Sequence, residues 1–300
     1  MPALRQALEE SGFFEVLASE DENGAGLEMR QFYPIVALCG ATAVPLPLPQ
    51  TMVARLLVPP QHIPQGTITI APALAESAND EIICRLVPFA KTADHVLAIR
   101  GSELILLPVA SATMLPGGVP RSLTASLTWQ RGCGRCVAPA ASVDLQALGA
   151  LLHAGLIAGA AKRVFDMTLQ YANERTQFGR SIGKFQAIQH QLSVMAEYVA
   201  VIAIAAEAAF QTGRRLPSVL ACAVAKSRAS EAAQLVAATA HSVHGAIGIT
   251  AEFELQLYTR RLHEWRMAHG SEVYWNSILG NNVLASGHAL ITDFVRGVIA

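Results

Sequence analysis

NERTQFGRSIGKFQAIQH, residues 173–190, lies between two long apolar stretches of a 300-residue chain. It sets Arg175, Gln177, Phe178, Gly179, Arg180, Gly183, Lys184 and Gln186 close together, and helical patterning resumes directly after. Ending a helix at Arg175, turning at Gly179 and restarting near Lys184 predicts that Arg175, Gln177, Phe178 and Gln186 gather at one helix junction. A guanidinium there can hold a phosphate through two parallel hydrogen bonds. Phe178 can lie flat on an aromatic ring, and Gln186 can donate to an oxygen. The restarting helix also offers unpaired N–H groups to an anion. The same pattern also describes an exposed polar loop between helices, and spacing alone favours that reading.

Around this junction the chain reads as a bundle. Residues 143–173 predict one long helix, with Ser142 as cap and Asp144 suited to the positive end of its dipole. A second helix covers 184–212 and stops at Gly213, and a third opens at Pro217 and runs to about 243. After a turn at 244–248, a fourth spans about 250–266, and a last covers about 271–296 with a possible break at Gly280 or Gly287. Long helices on short loops imply antiparallel packing. Gly155 and Gly159 are one turn apart and would let a neighbouring backbone come close.

Upstream the period changes. TITIAPAL, EIICRLVPFA, HVLAIRGSELILLPV and LTASLTWQRG are β-branched, partly alternating and bounded by turn residues. They predict a small antiparallel β domain, a partial barrel, over 61–141. Residues 1–60 read as a short helical region: a helix over 3–11, a turn at ENGAG (22–26), a helix over 27–42 and a short helix near 50–57. Between the last two, the alternating prolines of VPLPLPQ (44–50) prevent continuous helix. The expectation is an α+β chain in three regions, 1–60, 61–141 and 142–300, the last being the helical bundle.

With 52% hydrophobic and 15% charged residues, there is ample material for a core and no case for disorder. A net charge of −1 argues against nucleic acid or a membrane surface as partner. The polar, amphipathic start is unlike a secretory signal. The most apolar stretch, 145–161, is short of a membrane span. A cytoplasmic location is expected. The many small residues hint at surface hidden in an oligomer. Cysteines at 39, 84, 133, 136 and 222 form no disulfide pattern. Cys133-Gly-Arg-Cys136 runs into Val-Ala-Pro-Ala, a poor helix start, and has no second pair, so reduced thiols at a strand end are expected rather than a redox or zinc site.

Tyr171-x-x-x-Arg175-x-Gln177-Phe178-Gly179-x-x-Ile182-x-x-Phe185-Gln186-x-x-Gln189 closely resembles the signature of the acyl-CoA dehydrogenase family. VHGAIGITAEFELQLYTRR (243–261) resembles that family's HGGxGxTxE…R element in register. ENGAG with LPLPQTMVARLL is similar to its first domain, and VPFAKTADHVLAI (87–99) to its middle domain. The likeness is strong over 165–270 and weak over 1–140. It implies a helical–β–helical subunit with FAD at a subunit interface. Such enzymes remove an α-proton from an acyl-CoA thioester and pass the β-hydride to flavin. It implies that Arg175, Gln177, Phe178 and Gln186 contact FAD across that interface, with Ser242, Gly245 and Gly248 as the second element's contribution. Gly245 and Gly248 would let backbone approach the pyrophosphate.

Three departures qualify the resemblance. Ser242 stands for the family's Gln and Ala246 for its second Gly, weakening the phosphate turn. APALAESANDE (71–81) replaces the Thr-Glu-Pro-x-x-Gly-Ser segment that helps hold flavin and substrate. The usual catalytic Glu position, counted from Glu252 through Arg260, falls on His269, and the alternative Glu position falls at or near Gly149. Glu272 would face differently. A positioned base contributes about 10²–10⁴ in rate, so its loss matters. The resemblance is therefore to the shortened subunit of heteromeric bacterial acyl-CoA dehydrogenases, including those of steroid catabolism, whose complete partner supplies the Glu. Two alternatives stay open: a homo-oligomer using His269 as base, or a scaffold that has lost FAD. Electron-transfer flavoprotein is the implied acceptor. His241, His244 and His263 lack a carboxylate or Cys partner for a metal. Trp265, Tyr274 and Trp275 suit bundle core or an interface.

Overall fold

The computed structural model of the chain describes residues 2–77, 79–117, 119, 121–140, 143–211, 215–287 and 290–299. Ser142 and Gly213, the expected cap and helix stop, lie outside them. Packing groups the chain into two units: Met1–Phe32 with Val44–Leu152, and Tyr33–Ala43 with His153–Ala300.

Three helices come first: α1 (Pro2–Glu10), α2 (Met29–Ala41) and α3 (Leu48–Leu57). Helix α3 starts inside the proline run, with Pro47 as its N-cap residue and a proline in the first turn. Prolines are harmless there because first-turn N–H groups have no helical acceptor. Among the described residues eight strands follow: β1 (Ile68–Ile70), β2 (Ala75–Glu76), β3 (Glu81–Val87), β4 (His95–Arg100), β5 (Glu103–Pro108), β6 (Thr113–Pro116), β7 (Ala125–Gln130) and β8 (Arg135–Pro139). They form two four-stranded sheets, ordered β1-β4-β5-β8 and β2-β3-β7-β6.

Two expectations for this region need correction. The pairing is not wholly antiparallel, because β1 and β4 run parallel with Ile68 opposite His95. Their connection passes through β2 and β3 of the other sheet, and such a crossover returns the chain in the same direction. Nor is the architecture a partial barrel. Ile82, Cys84, Leu127 and Trp129 of one sheet share a buried cluster with Val96, Ala98, Ile105 and Leu107 of the other, which is a two-sheet sandwich. Cys133 precedes β8 and Cys136 sits in it.

The second unit is helical. Helix α4 (Leu145–Glu174) begins with Asp144 Oδ1 accepting from the Ala147 N–H at 2.9 Å, so Asp144 itself caps. A small hairpin, β9 (Thr176–Gln177) and β10 (Arg180–Ser181), leads to α5 (Gln186–Phe210). Helix α6 (Val219–His244) is capped by Ser218 rather than opened by Pro217. Then come α7 (Leu255–Met267), α8 (Glu272–Ala285) and α9 (Ile291–Ile299). The break between the last two falls at Gly287, with φ +66°, and Gly280 stays within α8. Helix α6 packs against α5, α7 and α8. Its buried Ala223, Ala225, Ala229, Ala233 and Ala237 let helices approach on several sides.

Glycines lock α2 to α4. A Cβ on Gly159 would fall on the Ala37 carbonyl oxygen, and one on Gly40 on that of Leu156. One on Gly155 would meet Val36 Cγ1 at 2.7 Å. The expected close approach is therefore present. At 30 and 25 residues, α4 and α5 are both long and apolar enough to cross a membrane, which corrects the shorter reading of 145–161. In α4 the most apolar window is 83% buried, so its apolarity is that of a core helix. The corresponding window of α5 is 33% buried and leaves Val194, Val201 and Ile204 outside.

Candidate functional site

The opening motif folds as a two-residue hairpin. Gln177 pairs with Arg180 and Thr176 with Ser181. The Ile182 N–H donates to the Arg175 carbonyl at 2.8 Å, extending the register by one pair. The loop residues are Phe178 at φ +52° and Gly179 at φ +79°. Positive φ at both positions is the type I′ geometry, which normally selects Asn-Gly. A left-handed Phe costs about 1–2 kcal/mol, and this one is 90% exposed. Its neighbour Phe185 meets it edge-on, with ring centroids 6.2 Å apart.

Register decides which side chains act together. Side chains alternate faces along each strand, so Arg175, Gln177, Arg180 and Ile182 share one face of the hairpin. The Arg175 guanidinium is exposed and has no hydrogen-bond or ion-pair partner among the described residues. Arg180 places Cζ 4.1 Å over the Phe185 ring. A 3-10 turn at Ile182–Lys184 delays the helix, so α5 begins at Gln186 rather than near Lys184. Gln186 is exposed, and Phe185 at the N-cap position supplies no side-chain cap.

The second sequence element lies against the first. The Tyr171 ring stacks on His244 at 4.4 Å, and its hydroxyl donates to the His244 carbonyl at 3.4 Å. Val243 joins Ala172 and Leu192 in a buried cluster that also packs Ile182 and Ile188. Ser242 and Gly245 are exposed near this contact. Gly245 has φ +63°, and an added Cβ there would meet nothing within 4 Å, so its backbone is open. Gly248 does not match the role expected of it. It is buried, and a Cβ would meet His244 Cβ at 3.0 Å and Leu255 Cδ2 at 3.1 Å. Its small size serves local packing.

The histidines of this region are committed internally. His241 Nε2 shares a 2.9 Å hydrogen bond with Thr259 Oγ1, and His244 Nδ1 lies 2.8 Å from the Ala240 carbonyl. That carbonyl only accepts, so Nδ1 carries the proton. Burial is the main influence lowering the pKa of His241, His244 and His263. Among the described residues no cluster suits a metal ion.

His269 is buried rather than open to solvent. It is 2% exposed, has φ +53°, and its ring lies 5.2 Å from the buried His153 ring. The Trp275 indole N–H donates to its carbonyl at 2.9 Å. The loop around it is tied at both ends. Buried Lys226 donates to the Trp265 and Arg266 carbonyls and to Ser230 Oγ, at 2.8, 2.7 and 2.8 Å. Glu272 pairs with Arg266 through two hydrogen bonds. Burial works upward on the Glu272 carboxyl, yet Arg266, its own backbone N–H and Lys226 together hold it below its ordinary value. Glu272 is thus engaged by Arg266. Gly149 is a buried position of α4. Trp265 and Trp275 are core, and Tyr274 is 45% exposed. Lys226 was invisible to motif reading, since its two carbonyl acceptors lie some forty residues away. For Arg180 the turn at Gly179 was the local signal, but its place level with Gln177 depends on the hairpin register.

In the first unit, the segment at 71–81 borders a cavity of about 260 Å³. Ala71, Pro72, Ala73 and Leu74 line one side and Asp144, Leu145 and Gln146 the start of α4. That lining has no hydroxyl donor, and its one charge is negative.

Residues 145–284 match the acyl-CoA dehydrogenase C-terminal domain family. The chain is 31% identical over 268 residues to acyl-CoA dehydrogenase IpdE2 of Mycolicibacterium smegmatis, covering 86% of this chain and 80% of that one. It is 32% identical to the Mycobacterium tuberculosis protein of the same name over 265 residues, covering 86% and 79%. Among solved structures, the Tcur3481–Tcur3483 steroid acyl-CoA dehydrogenase variant superposes with a TM-score of 0.80 at 23% identity, covering 95% of this chain and 89% of that one. The ChsE4–ChsE5 complex of M. tuberculosis gives 0.78 at 18% identity, covering 96% and 89%. At those identities the structures establish the fold.

Proposed function

Because the chain belongs to the acyl-CoA dehydrogenase family, oxidoreductases that act on acyl-CoA, we propose that it is the shortened subunit of a heteromeric dehydrogenase. Its hairpin grips the adenosine-diphosphate end of an FAD, and a complete partner chain supplies the ring pocket and the catalytic Glu. The observation that carries this reading is the outward-held hairpin: an unpartnered Arg175 beside a left-handed, 90% exposed Phe178. Strain of that kind persists where a ligand or partner makes use of it.

The residues present fit one end of FAD. Arg175 suits a phosphate, Phe178 an aromatic ring, Gln186 an oxygen, and the open backbone at Gly245 a close approach. They do not fit the ring end, since the lining at 71–74 is apolar with Asp144 nearby. When bound, FAD supplies the hydride acceptor. This chain's part is to hold and orient it. Nothing favours His269 as the base, because a base must reach its substrate and this ring is 2% exposed beside His153. The likeness to a heteromeric complex and to a steroid enzyme supports a partner chain, and makes a steroid-derived acyl-CoA the first substrate to assay. Electron-transfer flavoprotein is the proposed acceptor.

Co-expression with a complete family member from the same organism tests this. A yellow complex is expected, its flavin bleached by acyl-CoA. Arg175→Gln in this chain should strip the flavin without releasing the partner. A lone chain that binds FAD and is bleached, or a complex indifferent to Arg175→Gln, would overturn the proposal.

A further inference from the structure

We propose that Arg180 is a second guanidinium for the diphosphate that Arg175 holds, so that the hairpin grips a dinucleotide through a two-arginine clamp. This rests on the reading of the hairpin as a nucleotide handhold. Three observations carry it. The first is register: Arg180 stands opposite Gln177 and diagonal to Arg175 on the same face. Diagonal neighbours lie about 7–8 Å apart, within reach of one diphosphate for two long flexible side chains.

The second is charge. No carboxylate pairs with either guanidinium among the described residues, and the nearby Glu174 accepts from Gln170 at 2.8 Å. Two like charges on a short hairpin repel each other, and an isolated two-stranded hairpin is marginal in water. A diphosphate between them reverses the sign of that interaction. The third is preorganisation. Phe185 carries the Arg180 guanidinium on its face at 4.1 Å, which limits the rotamers lost on binding while leaving the N–H edge available.

The adenosine-diphosphate unit occurs in FAD and, with an added phosphate, in CoA. The full-length chain alone can be titrated with ADP and with adenosine, following the arginine Nε–H signals by NMR. Signals of Arg175 and Arg180 should shift together with ADP. Arg180→Gln should raise the ADP dissociation constant about tenfold, with Arg180→Lys between the two, and adenosine should bind all three alike. If only Arg175→Gln weakens ADP, Arg180 is not part of the clamp and the handhold reading survives. If Arg180→Gln weakens ADP and adenosine equally, Arg180 merely props the hairpin and the proposal falls. If ADP does not bind at all, both fall. Displacement of ADP by FAD and not by CoA supports the cofactor as occupant. The converse keeps the clamp and overturns the flavin reading.

Discussion

At the scale of single residues, the site pairs local cost with outward presentation. Phe178 occupies a backbone conformation that favours Asn or Gly, and its side chain gains almost no burial in return. His244 is the opposite case. Its ring is buried between Tyr171 and Phe253, with centroids 4.4 and 5.2 Å away. Burial lowers its pKa most; the Ala240 carbonyl pulls the other way, and His241 adds to the lowering. The folded chain therefore keeps this ring neutral, whereas the unfolded chain takes up a proton below about pH 6.5. Where the unfolded state binds more protons, stability rises with pH. The contribution is complete above about 6.5 and is lost as pH falls through the depressed folded value; His241 and His263 act in the same direction. The melting temperature should accordingly drop between about pH 7 and 5. His244→Phe keeps the aromatic stack and cannot titrate, so it should flatten that drop. An unchanged pH slope in the variant would show that His244 does not contribute to it.

Among elements, the α2–α4 contact and the hairpin were legible to different degrees. Gly155 and Gly159 announce a close approach by their spacing alone. Gly40, their counterpart on α2, does not, because nothing local distinguishes it from any helical glycine. Gly159→Ala gains about 1 kcal/mol of helix propensity, but its Cβ would land on backbone, the Ala37 carbonyl, which cannot swing aside. Overpacking of this kind costs about 1–3 kcal/mol. A net loss of about 1 kcal/mol or more is expected in urea denaturation, and a neutral or stabilised variant would mean that α2 shifts freely. The hairpin's turn at Gly179 could be read in sequence. Its face could not, because a slip of one residue would send Arg175 and Arg180 to opposite sides.

For the whole molecule, the balance of exposure points to assembly. Helix α5 is apolar enough for a core, yet only 33% of its most apolar window is buried in the single chain, the rest being half-buried or exposed. Val194, Val201 and Ile204 recur at helical spacing on that outer side, with exposures of 42, 44 and 68%. Ile204→Asp should leave folding intact, since the side chain already faces outward, and should shift the assembled species toward the single chain by about tenfold. Light scattering after gel filtration reads this directly. An unaltered mass would exclude this side of α5 from the contact.

The sequence by itself determined the family, the order of helical and β-rich regions, the glycine-mediated approach to α4 and the junction at 175–186. Each of these is written in periods and spacings of neighbouring residues, which act through local backbone geometry. Only the tertiary structure decided the rest. It gave β1 a parallel neighbour, turned Gly248 inward, closed His269 against His153, wrapped Lys226 around the end of α7 and set Arg180 beside Arg175. Those outcomes depend on which distant segments fill the space around a residue, and a linear pattern carries burial and register only once the chain has folded back on itself.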